Sequence, residues 1–247
     1  MAEPAASDLK LATADGVALV GRRLEPSGVP TADVVLVHGF GATSGEARVV
    51  ALAEAFRADG FAVLTYDARG HGRSGGETTL GDREQHDVAA AVDAASHRDR
   101  PTIVVGASMG AIGVLRYAAS ASGTVDGLVV LSCPARWRLP RNARGVASAA
   151  LTQTPPGRWF ARRSMGVRIA THIDRPAPPV DLVAQVGVPI AIVHGTDDPF
   201  IPPSDADELH TAAADPRRLQ LVDGLGHAYE PESIQPLRDS VEWLLTR

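Results

Sequence analysis

The sequence has too few cysteines for the disulfide bonds that stabilise small secreted domains. Its 247 residues include a single cysteine, Cys133, and only 4% aromatic residues. One cysteine can form neither an internal disulfide nor a cysteine-based metal cluster, so we interpret Cys133 as a small core residue and not a nucleophile. Stability must come from aliphatic burial, for which a chain of this length with 45% hydrophobic residues has ample material.

Long apolar runs are also missing. No stretch approaches the roughly 18 consecutive apolar residues that a membrane-spanning helix needs. The segment from Met1 to Lys10 contains Glu3, Pro4 and Asp8 and no apolar core, which does not fit a secretory signal or a membrane anchor. We therefore expect a soluble, cytoplasmic protein with no integral membrane association.

Motifs for bound metals and cofactors are absent as well. No histidine pair has the His-x-x-x-His spacing of metal ligands. No glycine loop is followed by Lys-Ser or Lys-Thr to cradle a phosphate, and no dinucleotide fingerprint is present. We expect neither a metal nor an organic cofactor.

Lysine is nearly absent, and the arginines that replace it are unevenly placed. Residues 136–184 hold nine arginines against two acids, a net charge of +7, which leaves −12 for the rest of a chain whose total is −5. Three interpretations stay open: a solvated arginine face paired with the acidic body, attraction of an anionic substrate or acyl carrier, or contact with anionic lipid headgroups. Because the rest of the protein is acidic, nucleic acid is not an expected partner.

Short aliphatic runs alternate with amphipathic segments along most of the chain. Strands are predicted at 9–12, 17–24, 34–37, 61–66, 102–105, 128–131, 189–193 and 219–222, and helices at 46–59, 83–97, after 108, at 205–214 and at 233–245. This alternation predicts an α/β fold, a mainly parallel eight-stranded sheet with helices on both faces, in one domain spanning 1–247. Asp15-Gly16 predicts a tight hairpin turn between the first two strands.

The strand at 102–105 leads into a serine between two glycines. Gly106-Ala107-Ser108-Met109-Gly110 reads as a strand, a sharp turn and a helix, with a hydroxyl exposed at the corner. A serine hydroxyl is a weak nucleophile that needs a histidine base, itself oriented by a carboxylate. Both partners follow the last two strands, as Asp197-Asp198 and His227.

The order of serine, acid and histidine, each at the carboxyl end of its own strand, resembles the α/β-hydrolase fold. Four motifs match that family in order: His38-Gly39-Phe40-Gly41, Asp67-x-Arg69-Gly70-His71-Gly72-x-Ser74, Gly106-x-Ser108-x-Gly110, and Gly195-x-x-Asp198 with Gly226-His227. The resemblance implies that Ser108 is the nucleophile, Asp198 the acid and His227 the base, and that the backbone N–H groups of Phe40 and Met109 form the oxyanion hole. Asp197 competes for the acid but falls one residue short of the family spacing, so we expect it to cap the turn.

The same resemblance assigns supporting roles. The Asp67–Ser74 loop is expected to tie strand ends together through Asp67 and Arg69, and His38 to shape the oxyanion loop without acting as a base. Residues 134–184 correspond to a lid inserted after the sixth strand. Its large apolar side chains can form a wall over the serine: Trp137, Leu139, Leu151, Trp159, Phe160, Met165 and Ile169. Pro155-Pro156-Gly157 is expected to break the lid into two helices, and residues 176–179 to form an exit linker.

The implied function is a serine hydrolase that cleaves carboxylic esters through an acyl-serine intermediate, similar to small bacterial esterases and monoacylglycerol-lipase-like enzymes. A thioesterase and a serine-aminopeptidase-like amide or acyl-peptide hydrolase use the same residues and stay open as alternatives. A serine nucleophile argues against the dehalogenase and epoxide-hydrolase branches, which use an aspartate. From a different class, a non-catalytic ligand-binding protein could have the same fold.

Overall fold

A single sheet runs through the molecule. The computed structural model describes residues 7–97, 99–120, 125–139, 142–174 and 177–247. Its strands are β1 Ser7–Ala12, β2 Ala18–Leu24, β3 Asp33–Val37, β4 Ala62–Tyr66, β5 Thr102–Ala107, β6 Gly127–Leu131, β7 Ile190–Gly195 and β8 Arg217–Val222, in the order β1-β2-β4-β3-β5-β6-β7-β8. β1 and β2 pair antiparallel, β2 joins β4 antiparallel, and every other pairing is parallel. The predicted eight-stranded, mainly parallel sheet is confirmed.

Helices cover both faces of this sheet. They are α1 Ala47–Ala58, α2 Glu84–Ala95, α3 Met109–Ser120, α4 Ala143–Gln153, α5 Pro155–Phe160, α6 Pro179–Val183, α7 Ser204–Ala212 and α8 Ile234–Leu245, with a π-helical turn at Ala161–Met165 and a 3-10 turn at Pro231–Ser233. One core contains residues of α2, α3, α6 and α7, and the other contains residues of α1 and α8. Val35 and Val37 of β3 face the first core while Val34 and Leu36 face the second, which explains why the central strands read as unbroken apolar runs.

The first hairpin closes with the tight turn that Asp15-Gly16 predicts, since Gly16 N donates to Thr13 O at 2.9 Å. Residues 13–17 connect β1 to β2, and Gly16 has a φ of +84°. The Asp15 carboxylate accepts hydrogen bonds from Nη1 and Nη2 of Arg69 at 2.7 and 2.9 Å, and one from the Thr13 hydroxyl at 2.6 Å. Asp15 therefore ties the hairpin to a distant loop, a role that its neighbours in sequence do not indicate.

The insertion, residues 132–189 between β6 and β7, contains α4, α5, the π-helical turn and α6. Pro155 is the first residue of α5, directly after α4 ends at Gln153, so the prolines separate two helices as expected. The expectation of a linker at 176–179 is wrong at Pro179, which is the first residue of α6. Pro176 lies outside the described residues, as do Arg141 and Arg175.

Backbone hydrogen bonds attach the insertion to the body of the protein. Arg168 N donates to Gly70 O at 2.8 Å, Thr78 N donates to Arg168 O at 2.8 Å, and Ala170 N donates to Thr78 O at 3.0 Å. Near this ladder, Ala161, Val167 and Ile169 form a small buried cluster against which Phe40 packs. The insertion therefore lies against the loop that follows β3.

The apolar wall predicted for the insertion forms only in part: Ile169 and Leu151 pack near Phe40, but the two aromatic residues of α5 lie at the surface. Trp159 is 68% exposed and Phe160 is 51% exposed. The apolar contact with Phe40 comes from Ile169 of the predicted wall together with Ala161 and Val167. In the part of the chain that the structure describes, no helix is both long enough and apolar enough to span a bilayer.

Candidate active site

Ser108 stands at a strained corner. β5 ends at Ala107 and α3 begins at Met109, and Ser108 between them has a φ of +51°, a left-handed value that costs about 1–3 kcal/mol in a residue other than glycine. A Cβ on Gly110 would lie 2.6 Å from the carbonyl oxygens of Val37 and His38, so only glycine fits there. The tight packing predicted at this turn is thus present, and Ser108 itself is half-buried.

Asp198 and His227 meet across the ends of β7 and β8. His227 Nδ1 lies 2.7 Å from Asp198 Oδ2, and the Asp198 side chain is fully buried. Asp198 Oδ1 accepts from the backbone N–H groups of Phe200 and Ile201 at 2.9 and 3.0 Å. Burial opposes ionisation of this carboxyl, but the hydrogen bond from His227 and the two backbone donors outweigh it and hold the pKa of Asp198 below its ordinary value. The group is therefore a carboxylate, and His227 donates to it from Nδ1, which leaves Nε2 free to accept a proton.

Asp197 takes a different position from its neighbour. Its side chain is exposed, with one oxygen 3.5 Å from Thr196 Oγ1, and its backbone N–H donates to Leu225 O at 3.1 Å. Asp197 thus fastens the loop after β7 to the loop that carries His227. Of the two aspartates, only Asp198 is hydrogen-bonded to the histidine.

Several supports of the His227 loop have no sequence motif. Ser132, directly after β6, accepts from the backbone N–H of Ala228 at 3.2 Å, and Ser108 N donates to Leu131 O at 2.9 Å. The turn at Leu131-Ser132 therefore binds the backbone of Ser108 and of Ala228, the residue after His227. Its one sequence signal is its place at the carboxyl end of a parallel strand, where such sites form.

Two other residues near His227 were also missed. Glu230 accepts from the backbone N–H of Gly226 at 3.1 Å and so supports the loop. The ring of Phe200 contacts the His227 ring edge-on, with centroids 5.0 Å apart. Phe200 is two residues after Asp198, and Glu230 is three residues after His227. No spacing in the sequence reveals that either residue contacts the His227 loop.

The Phe40 loop runs alongside Ser108. A Cβ on Gly39 would lie 3.4 Å from Ser108 Cβ. Among the residues that the structure describes, the backbone N–H groups of Phe40 and Met109 donate to no protein acceptor. Met109 directly follows Ser108 and Phe40 follows Gly39, so both donors belong to segments next to the serine.

His38 holds this loop in place. Its buried ring accepts from Ala68 N at 2.9 Å through Nε2, so Nδ1 carries the proton that is shared with Gly39 O at 2.8 Å. Burial, with a smaller contribution from His71, lowers the pKa of His38 to about 4. A neutral ring with both nitrogens engaged fits the predicted scaffold role and not that of a base.

No hydrogen bond joins the Ser108 hydroxyl to the His227 ring within the described residues. Such bonds are commonly long before substrate binds and tighten in the substrate complex. The predicted residues are therefore brought together in two pairs, Asp198 with His227 and the Phe40 loop with Ser108, which the Leu131-Ser132 turn connects.

Arg69, in the Asp67–Ser74 loop, is a buried cation that connects this loop to the rest of the fold. Its guanidinium lies 2.7 Å from Asp15 and 2.8 Å from Asp87, and its backbone N–H donates to Asp87 at 2.7 Å. Asp67 accepts from the Ser44 hydroxyl at 2.7 Å and from Arg73 N at 2.9 Å. These contacts give Asp67 and Arg69 the tying role expected of them.

Replacing Arg69 with methionine should destabilise the protein by about 3–5 kcal/mol, because buried Asp87 would lose its hydrogen-bonded cation and Asp15 its two hydrogen bonds from the guanidinium. The measurement is the free energy of unfolding from urea titration. Arg73→Met is the matched control, since Arg73 pairs with Asp8 at the exposed surface and its loss should leave the midpoint unchanged. Equal midpoints for both variants would contradict the assigned role of Arg69.

The sheet order and the site at its carboxyl edge define the class of the protein: it is an α/β-hydrolase. More specifically, the chain belongs to the serine aminopeptidase, S33 family, whose model matches residues 28–176. The matched region contains Ser108 and the Phe40 loop and ends before Asp198 and His227.

Individual relatives agree with this assignment. The chain is 28% identical to a monoacylglycerol lipase of Mycolicibacterium smegmatis, over 97% of each chain. Among solved structures it is similar to an esterase of Pyrococcus furiosus, with a TM-score of 0.69 and 20% identity over 97% of this chain and 89% of the other. It is also similar to the esterase RhEst1 of Rhodococcus sp., with a TM-score of 0.69 and 21% identity over 96% of this chain and 99% of the other. At these identities the two structures show the fold alone.

Proposed function

We propose that the protein is a serine hydrolase that cleaves carboxylic esters. The observation that carries the proposal is the 2.7 Å contact between His227 Nδ1 and a fully buried Asp198 carboxylate, at the same edge of the sheet as Ser108. A histidine fixed in this way has one nitrogen free to take a proton. Similarity to a monoacylglycerol lipase over nearly the whole chain supports an ester as the substrate.

In the proposed mechanism Ser108 Oγ adds to the ester carbonyl carbon while its proton passes to Nε2 of His227. Asp198 holds the ring and stabilises the imidazolium that forms. The backbone N–H groups of Phe40 and Met109 bind the negative oxygen, and such donors contribute on the order of 3 kcal/mol each. The intermediate collapses, and the alcohol leaves with the proton from His227. Water then adds to the acyl-serine carbonyl while one of its protons passes to His227. The acid is released when His227 returns that proton to Ser108 Oγ.

The second candidate is amide hydrolysis, which the family description favours. A thioesterase would use the same residues. A panel of p-nitrophenyl esters, acyl thioesters and aminoacyl p-nitroanilides separates the three, and labelling by a fluorophosphonate tests for a reactive serine. A folded protein that neither labels nor hydrolyses any of these substrates would favour a non-catalytic binding function.

We further propose that the chain is one domain in which residues 134–184 act as a lid. A Cβ on Gly41 would lie 3.0 Å from Met165 Cε, and Phe40 packs on the cluster of Ala161, Val167 and Ile169. The segment therefore touches the loop that supplies one of the proposed oxyanion donors, so its movement would change access to Ser108.

The kcat/KM for ester hydrolysis should fall as the pH is lowered, and one protonation should account for the fall. The lowered pKa of Asp198 keeps this carboxyl ionised from mildly acidic to neutral pH, so it does not titrate in that range. A histidine can act as a base only while its ring is neutral, so protonation of the ring at lower pH removes the activity. We expect kcat/KM for p-nitrophenyl butyrate to decline with one proton uptake between about pH 8 and 5. A flat profile would contradict a histidine base.

A further inference from the structure

A cavity of about 840 Å³ lies between the insertion and the body of the protein. Leu80, in the loop before α2, and Phe200, in the loop after β7, form part of its wall, and Trp137 and Arg158 line it from the insertion. Ser108 and His227 do not line it. Its volume is in the range of small-molecule sites, roughly 300–1,000 Å³.

The wall nearest the proposed active site touches both the base and the first turn of α3. The Phe200 ring packs on His227 with centroids 5.0 Å apart. The loop of Leu80 packs on α3, since a Cβ on the next residue, Gly81, would lie 3.2 Å from Met109 O. Leu80 itself has a φ of +60°, a strained value that fixes this part of the wall. The cavity therefore begins where His227 is held.

A cavity beside His227 is suited to the alcohol portion of an ester substrate. His227 must give its proton to the leaving alcohol oxygen, so the alcohol portion of the substrate lies on the side of His227. The cavity is lined by Phe200, whose ring contacts His227, and by Asp198, which is hydrogen-bonded to His227. It is placed to hold the leaving group.

Most cationic groups of this wall are already neutralised. Arg136 Nε lies 2.7 Å from Glu208, and Arg138 contacts Glu208 and lies 2.9 Å from Asp205. Arg158, half-buried on α5, has no ion-pair partner in the described part of the chain. It is the cation of the cavity that is free to bind a ligand.

The four acidic groups of the wall each have another partner. Asp198 lies 2.7 Å from His227 Nδ1, and Asp205 lies 2.9 Å from Arg138 Nη2. Asp82 lies 3.2 Å from Arg116 Nε. Asp174 lies 3.2 Å from His172 Nε2 at the rim, where its side chain is 70% exposed and water screens its charge.

We propose that the cavity binds the leaving group of the substrate and that Arg158 binds a carboxylate at its far end. The preferred substrates are then esters of hydroxy acids, acylated on the hydroxyl. This inference rests on the proposed ester hydrolysis. A guanidinium presents a planar fork that matches a carboxylate with two parallel hydrogen bonds, which gives both affinity and a fixed orientation.

The test uses butyrate esters of one phenol series with the carboxylate at increasing distance: 4-hydroxybenzoate, 4-hydroxyphenylacetate and 3-(4-hydroxyphenyl)propionate. The matching carboxamides are neutral controls of the same length. We expect wild type to prefer the carboxylate in at least one pair, through a lower KM. Arg158→Gln should reduce that preference about ten-fold or more, as for loss of a charged hydrogen bond, because the carboxylate esters lose more than the carboxamide esters.

Arg163→Gln is the matched control, because Arg163 lies exposed on the same segment and does not line the cavity. An equal loss in both variants would indicate a general positive field and overturn binding at Arg158, as would a preference that survives Arg158→Gln or is absent at every length. Hydrolysis of the carboxamide esters tests the proposed function separately. Direct binding of the three free hydroxy acids, measured by calorimetry with and without Arg158→Gln, tests the cavity even if no ester is cleaved.

Discussion

Replacing Ser108 with alanine should reduce kcat/KM for p-nitrophenyl butyrate at least a thousand-fold, because only the attacking oxygen is removed. Alanine keeps the Cβ, so the strain at a φ of +51° is unchanged and the glycines that pack the turn keep their contacts. We therefore expect the melting temperature to stay close to that of wild type. Labelling by a fluorophosphonate should disappear together with the activity.

A second serine on the same helix provides the control. Ser120 ends α3, is exposed, and donates to Tyr117 O at 3.0 Å. Ser120→Ala should hydrolyse and label as wild type does. Residual turnover of Ser108→Ala above about a thousandth of wild type, in folded protein free of contaminating esterase, would remove Ser108 from the proposed mechanism.

The sequence predicts the sheet well because its central strands are buried on both faces. Val34 to Val37 can form no amphipathic helix surface, and the runs at β4, β5 and β6 have the same character, so element type and order follow from local residues. The first hairpin turn is predictable for the same local reason, since Gly16 supplies the positive φ that the turn needs. The partner of Asp15 is not predictable, because Arg69 lies far along the chain.

Some residues of the candidate site are predictable from local sequence, and others depend on contacts that only the fold creates. Ser108 and its flanking glycines are predictable because the steric demands of the turn act within a few residues. Ser132, Glu230 and Phe200 are not, since each acts through a contact with the His227 loop that the fold creates. Exposure of Trp159 and Phe160 could not be predicted either, because it depends on how the insertion packs.

Asp198→Asn should cost roughly ten-thousand-fold in kcat, as removal of this charge does in other serine hydrolases. Asp198 Oδ1 is held by two backbone donors, so an asparagine would keep its oxygen there and turn its NH₂ group toward His227 Nδ1. His227 would then have to accept at Nδ1 and carry its proton on Nε2, where it could not take the proton of Ser108. The protein should still fold, and the loss should appear in kcat more than in KM.

Asp197→Asn makes the same chemical change one residue away and is the sharpest comparison. Asp197 is exposed, its backbone makes the contact to Leu225, and its carboxylate only reaches Thr196 Oγ1 at 3.5 Å. Asparagine can keep that contact, so kcat should stay within about two-fold of wild type, as for a surface substitution. Steady-state kinetics of the two variants under identical conditions decide the assignment. If Asp197→Asn proved the more damaging change, the orienting acid would be Asp197, and the buried carboxylate beside His227 would be structural.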